Sequence, residues 1–248
     1  MTHAHSGRDD LALSFGKEAA TYDRARPRYP DEAVAVAVPA SAVDVVDVGA
    51  GTGILTRALL SADRVVTAID PDAAMLAQLS RVSPEITVKV GTAEQLPLPD
   101  SSVDAVVLGQ AWHWVDVAAS SAEIGRVLRP GGTLALVWNI RDENVPWVRD
   151  LSDLIGRTGA ELLIIGAGPA VDAPFGPLAV QEFGWTRSLT VDELVDNVAS
   201  RSTMITATEE RRADVLERVH QLATARADDG VHLSMPYVTY VFTATKPA

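Results

Sequence analysis

The chain has 248 residues, 47% hydrophobic and 22% charged, enough for one sizeable α/β core and ordinary for a globular protein. Its formal net charge of −12 repels phosphate backbones and anionic bilayers, so neither nucleic acid nor membrane is an expected partner. It has no cysteine, which excludes disulfides, thiolate metal sites and cysteine nucleophiles.

In chain order, Leu11 to Val38 reads as two short helices around Arg26-Pro27-Arg28-Tyr29-Pro30. A rhythm of β-branched runs and helical patterns then extends from Val43 to Asn139. The predicted strands are Val43–Val48, Arg64–Ile69, Ile86–Val90, Val103–Leu108 and Thr133–Trp138. Between them, helices are predicted at Ile54–Leu60, Ala73–Leu79 and Asp116–Leu128, the second capped by Asp72 and the third stopped by Pro130-Gly131-Gly132. Valine-rich strands that each feed a helix argue for a parallel, doubly wound sheet, although strand order is not encoded in the pattern.

Beyond this core, helical patterns occur at Trp147–Leu163, Val191–Ser200 and Glu209–Ala225, with strand candidates at Ala179–Trp185 and Tyr237–Ala244. The loop from Gly166 to Pro177, rich in glycine and proline, reads as a separator between the core and a lid-like segment. The expectation is one domain over 1–248: lid helices over 1–40, a binding core over 41–140 and a C-terminal part over 141–248. Met1 to Asp10 lacks the apolar stretch of a secretion signal, and no apolar run approaches the ~20 residues that span a bilayer. A cytoplasmic location is therefore expected. Oligomeric state is not legible.

Gly49-Ala50-Gly51-Thr52-Gly53 follows a strand and opens a helix, where doubly wound folds bind nucleotides. A dinucleotide fingerprint needs a third glycine at position 54, which is Ile54, and a phosphate loop needs a lysine that this loop lacks. The spacing suits a nucleoside without a pyrophosphate. Asp70, with Pro71 beside it, ends the second strand and can accept both hydrogens of a ribose diol. Its alternative role as a helix cap belongs better to Asp72.

These residues resemble the class I S-adenosylmethionine-dependent methyltransferases, in the small-molecule branch called type 11. The resemblance rests on Val45 to Gly53, Ala68-Ile69-Asp70, Gly91 to Pro97 and Val127 to Gly132, in the family's order and spacing. Gln110-Ala111-Trp112-His113-Trp114 is similar to a subgroup that includes trans-aconitate-type enzymes. The resemblance implies a Rossmann-like, mostly parallel seven-stranded sheet with helices on both faces and a helical lid. It implies S-adenosylmethionine as cofactor, S-adenosylhomocysteine as product and no metal.

By the same resemblance, Gly49, Ala50, Gly51, Thr52 and Gly53 pack against the methionine moiety and Asp47 orients its amino group. Asp70 binds ribose, while Thr92, Ala93 and Glu94 meet adenine. Glu94 stands where many members have an aspartate. Gln110 and Ala111 line the methionine end, and Tyr22 closes over it. His113 is a candidate general base, with an aromatic-wall role as the alternative. The acceptor pocket draws on Trp112, Trp114, Arg26, Tyr29, Trp138 and Arg141; the arginines suit a carboxylic acid and the tryptophans an apolar metabolite. A nicotinamide oxidoreductase and a non-catalytic cofactor-binding regulator are the competing readings.

Overall fold

The computed structural model describes residues 26–248. Seven strands form one sheet: β1 (Asp44–Val48), β2 (Val65–Asp70), β3 (Thr87–Val90), β4 (Val103–Gly109), β5 (Leu128–Arg141), β6 (Ala179–Thr190) and β7 (His232–Thr245). Their order is β3-β2-β1-β4-β5-β7-β6. The first five are parallel, whereas β7 runs antiparallel to both β5 and β6. From β1 the chain winds outward to β3 and then returns to β4, beside β1. A crevice therefore opens at the carboxyl ends of β1 and β4, where helices leave on opposite faces.

The valine-rich strands are covered on both faces, as their pattern requires. On one face α1 (Asp31–Ala37) and α2 (Ile54–Ala58) bury Val45, Val107 and Val137. On the other, α4 (Val117–Val127) and α6 (Gly159–Ile165) cover Val46, Leu108 and Leu136. α3 (Ala73–Val82) packs against β2 and β3. A third cluster joins α5 (Pro146–Ile155), α7 (Val191–Ala199) and α9 (Glu209–Thr224) to the ends of β6 and β7. The short α8 (Ser202–Ile205) links α7 to α9.

Four expectations from the sequence change. The pattern over Trp147–Leu163 is two helices, because Gly156 adopts φ +75° and Thr158 starts a new helix. The Thr158 hydroxyl accepts from the Glu161 amide and Glu161 returns a carboxylate to the Thr158 amide, a capping box. The helix before β5 ends at Val127, ahead of Pro130-Gly131-Gly132; those residues bulge within β5, between the Val103–Leu128 and Ala105–Thr133 pairs.

The loop after α6 does not separate the core from a lid. It folds back onto α4: Phe175 is buried, and the Asp172 amide donates to the Ser121 hydroxyl at 3.0 Å. Finally, β6 and β7 are longer than expected. Pro236, which reads as the boundary of an interior strand, stands one residue past the end of the β5 register, where β7 pairs with β6 alone.

Candidate functional site

A cavity of about 860 Å³, its open mouth included, occupies the crevice at the ends of β1, β4 and β5. One wall is the glycine loop. Gly49, Gly51 and Gly53 all adopt left-handed backbone, with φ of +72°, +55° and +83°. The last two show why side chains are absent. A Cβ on Gly53 would lie 2.2 Å from Leu79 Cδ1, so α2 can approach α3 only over a glycine. Around the Cβ position of Gly51 there is nothing within 4 Å: the backbone there faces open space.

Two carboxylates brace this loop. Asp70, at the tip of β2, accepts from the Gly51 amide through one oxygen and from the Asp72 amide through the other, both at 2.8 Å. Burial raises its pKa, against the lowering pull of those two bonds. Asp72 caps α3 by accepting from the Ala74 and Met75 amides, as its position implied. Asp47, on β1, is buried and lines the cavity, and its Oδ2 accepts from the Thr56 hydroxyl at 2.6 Å. Among the described residues no cation pairs with it, and burial raises its pKa to about 7.

The opposite wall comes from β4 and β5. Gln110 closes β4 with φ +58°, an unusual value for a residue with a side chain, held by its amide on Val137 O and its side chain on Asn139 O. Asn139 accepts from the Thr239 hydroxyl and donates to Arg28 O, tying the N-terminal segment to the cavity rim. The Tyr29 hydroxyl overlies Gly109, 2.8 Å from where a Cβ would be.

Beyond Asn139 the cavity ends in charge. Arg141 and Arg201, both buried, flank Glu161, with Arg141 Nη2 at 2.9 Å from Oε1 and Arg201 Nη2 at 2.6 Å from Oε2. Burial alone would raise Glu161, but the two guanidinium charges outweigh it and hold the carboxyl at about 2. Burial and the neighbouring Arg201 push Arg141 down to about 10.

The sequence agrees with this geometry. The methyltransferase domain matches residues 46–136, the strands that carry the loop and the crevice. An uncharacterized methyltransferase of Mycobacterium bovis is 45% identical over 240 residues, covering 96% of this chain and 98% of that protein. The chain belongs to the methyltransferase family. A methyltransferase-like protein of Schizosaccharomyces pombe is 32% identical across 94% of this chain and 95% of its own. A solved structure from Anaeromyxobacter dehalogenans, described as a type II methyltransferase, aligns with a TM-score of 0.68 at 26% identity, covering 90% and 98% of the two chains.

In this methyltransferase the cavity gathers many of the residues singled out from the sequence and leaves others aside. Asp47, Gly49, Ala50, Gly51, Thr52, Gln110, Arg26, Tyr29 and Arg141 line it. Gly53, Asp70, Pro71, Thr92, Ala93 and Glu94 lie outside its lining, toward the ends of β2 and β3. Glu94 Oε1 accepts from the Asp116 amide at 2.9 Å, so that oxygen already serves the start of α4. Tyr22 lies outside the described residues.

The aromatic wall is a correction. Trp112 is 2% exposed in the core, its ring nitrogen donating to Ala170 O of the folded-back loop, and Trp138 is fully buried edge-on to Phe242. Trp114, His113 and Ala111 do not line the cavity either; Ala111 Cβ instead fills the space beside Gly49. Burial pushes His113 down to about 4, and its Nδ1 is buried without a partner. Neither position nor basicity supports it as a general base.

Sequence reading missed Asn139, Glu161, Arg201 and Tyr237. Thr158-Gly159-Ala160-Glu161 carried a capping-box signal that locates Glu161 at a helix start. Nothing local marks Arg201, which meets Glu161 across forty residues of chain.

Proposed function

We propose that this methyltransferase takes its methyl group from S-adenosylmethionine and passes it to a small organic acceptor in the same cavity, in the cytoplasm and without a metal. The observation that carries this reading is the continuity of the cavity from the glycine loop and Asp47 to Arg141 and Glu161. The residues present fit the cofactor. Asp47 offers an amino group a buried carboxylate that pairs with no cation among the described residues, and Gly51 leaves the wall open for close approach. Among the described residues, no cluster of three or more potential ligands suits a metal ion. Nor is any described helix long and apolar enough to cross a membrane.

S-adenosylmethionine supplies a sulfonium methyl, an electrophile that needs an in-line nucleophile more than acid or base assistance. The chain's part is to bind, align and exclude water. Asp47 holds the amino group, and Gln110 lines the methionine end. Asp70 accepts from the ribose through lone pairs left after its two amide bonds, with Pro71 alongside. Thr92, Ala93 and Glu94 form the adenine end. The S-adenosylhomocysteine product is neutral at sulfur, so charge attraction to Asp47 falls after transfer.

The test is protein-dependent transfer of label from methyl-labelled S-adenosylmethionine into metabolite extracts. Label in the small-molecule fraction supports the reading. Label confined to protein or nucleic acid, or no transfer from any extract, contradicts it.

A further inference from the structure

Among the described residues, the far end of the cavity holds more positive than negative charge. Arg201 commits both of its terminal nitrogens there, although its Nε is buried without a partner among the described residues: Nη1 and Nη2 both donate to Glu161, at 3.2 and 2.6 Å, and Nη2 also reaches Gly156 O. Glu161 is committed twice over, since its Oε2 additionally accepts from the Thr158 amide and hydroxyl. Arg141 is different. Among the described residues its interactions run through Nη2, to the Ser152 hydroxyl at 3.1 Å and to Glu161, while its Nε is buried without a partner there. A guanidinium offers five N–H donors in a planar fork, so most of those on Arg141 are uncommitted.

The surrounding structure fixes this guanidinium rather than hiding it. Arg141 is 6% exposed at the last position of β5, and it lines the cavity. Tyr237 is its direct partner across the β5–β7 ladder, so both side chains stand on the same face. The Tyr237 ring is held by stacking on Trp185, with centroids 5.1 Å apart. Among the described residues, Arg141 and Arg201 share the one carboxylate of Glu161, and Arg26 adds a further guanidinium to the cavity lining, so positive charge is in excess at this end. Excess buried charge is costly, and an anion with two coplanar oxygens matches the planar fork of a guanidinium.

Resting on the methyltransferase reading, we propose that the acceptor is an organic monocarboxylate whose carboxylate docks on Arg141, with Glu161 and Arg201 positioning the guanidinium and Tyr237 beside it. The net charge of −12 disfavours anions over the surface as a whole. The Glu161 carboxylate, 2.9 Å from Arg141, repels the two charges of a phosphate monoester dianion more strongly than the one charge of a carboxylate.

The experiment is a calorimetric titration of the full chain, saturated with S-adenosylhomocysteine, with straight-chain monocarboxylates of four to eight carbons. Matched primary amides and alkyl phosphates are run in parallel. At least one acid is expected to bind saturably, its amide at least tenfold more weakly and its phosphate counterpart no more tightly. Arg141→Gln should weaken the acid at least tenfold while S-adenosylhomocysteine affinity stays within twofold, and Arg141→Lys should restore part of the loss. If Arg141→Gln fails to fold, the acid–amide comparison on the unaltered chain decides. Equal binding of acid and amide, tighter binding of the phosphate, or no acid binding would overturn the proposal while saturable S-adenosylhomocysteine binding left the methyltransferase reading intact. Absence of S-adenosylhomocysteine binding would bring down both.

Discussion

Thr56 donates its hydroxyl at 2.6 Å to Asp47, a carboxylate that burial nevertheless raises to about 7. A buried acid held near neutrality by desolvation is poised to ionise when a cation arrives beside it. In this account the cation is the amino group of S-adenosylmethionine.

Cofactor affinity should therefore rise with pH between about 5.5 and 7.5, as Asp47 loses its proton. Asp47→Asn should flatten that profile and weaken binding at pH 7.5 by about tenfold or more, the scale of a hydrogen bond to a charged group. Calorimetry across this range checks both effects. A slope that survives in the variant would assign the titration to another group.

The same residue should carry a cost in stability. Its folded pKa lies above the ordinary carboxylate value, so its contribution is complete at acid pH and is lost as pH rises through about 7. Asp47→Asn should accordingly stabilise the ligand-free protein at pH 8 by on the order of 2 kcal/mol, about 4–8 °C in Tm. The gain should shrink toward zero as the pH falls to 4. Thermal unfolding at the two pH values measures it, and a pH-independent change would contradict the assignment.

The glycines of the loop should separate by role. Gly53→Ala sets a methyl against Leu79 at a left-handed position and should destabilise the fold by about 2–4 kcal/mol. Gly51→Ala meets only the backbone strain, about 1–2 kcal/mol, and should fold while losing at least tenfold in S-adenosylhomocysteine affinity. Denaturant unfolding together with ligand titration distinguishes the two. Undiminished affinity in Gly51→Ala would remove the loop from the binding wall.

His113 should remain neutral through the physiological range. Its folded pKa is lowered to about 4, so its share of stability is present above the ordinary value of about 6.5 and is lost as pH falls through 4. A nuclear magnetic resonance titration of the ring should show its midpoint near 4. A midpoint near 6.5 would mean that the ring is hydrated and reopen a role in proton transfer.

The parallel core was legible because its signals are local. Valine runs ending in glycine or Asp-Pro give strands β1 and β2, and Asp72 and Asp116 mark helix starts by a single side chain each. The cofactor half of the site followed for the same reason: loop, Asp47 and Asp70 lie within about thirty residues of chain. The acceptor half did not. Trp112 and Trp138 drew attention as aromatic residues near strand ends, but large apolar side chains there are equally suited to fill a core, and burial decided between the two. Glu161 meets Arg141 and Arg201 only after β5 overshoots β4 by four residues and Gly156 breaks a helix, relations of tertiary packing that no spacing encodes.

The most direct test is one calorimetric comparison on the unaltered protein: S-adenosylmethionine against NAD. Saturable one-to-one binding of S-adenosylmethionine and none of NAD is expected. Binding of NAD without binding of S-adenosylmethionine would contradict it.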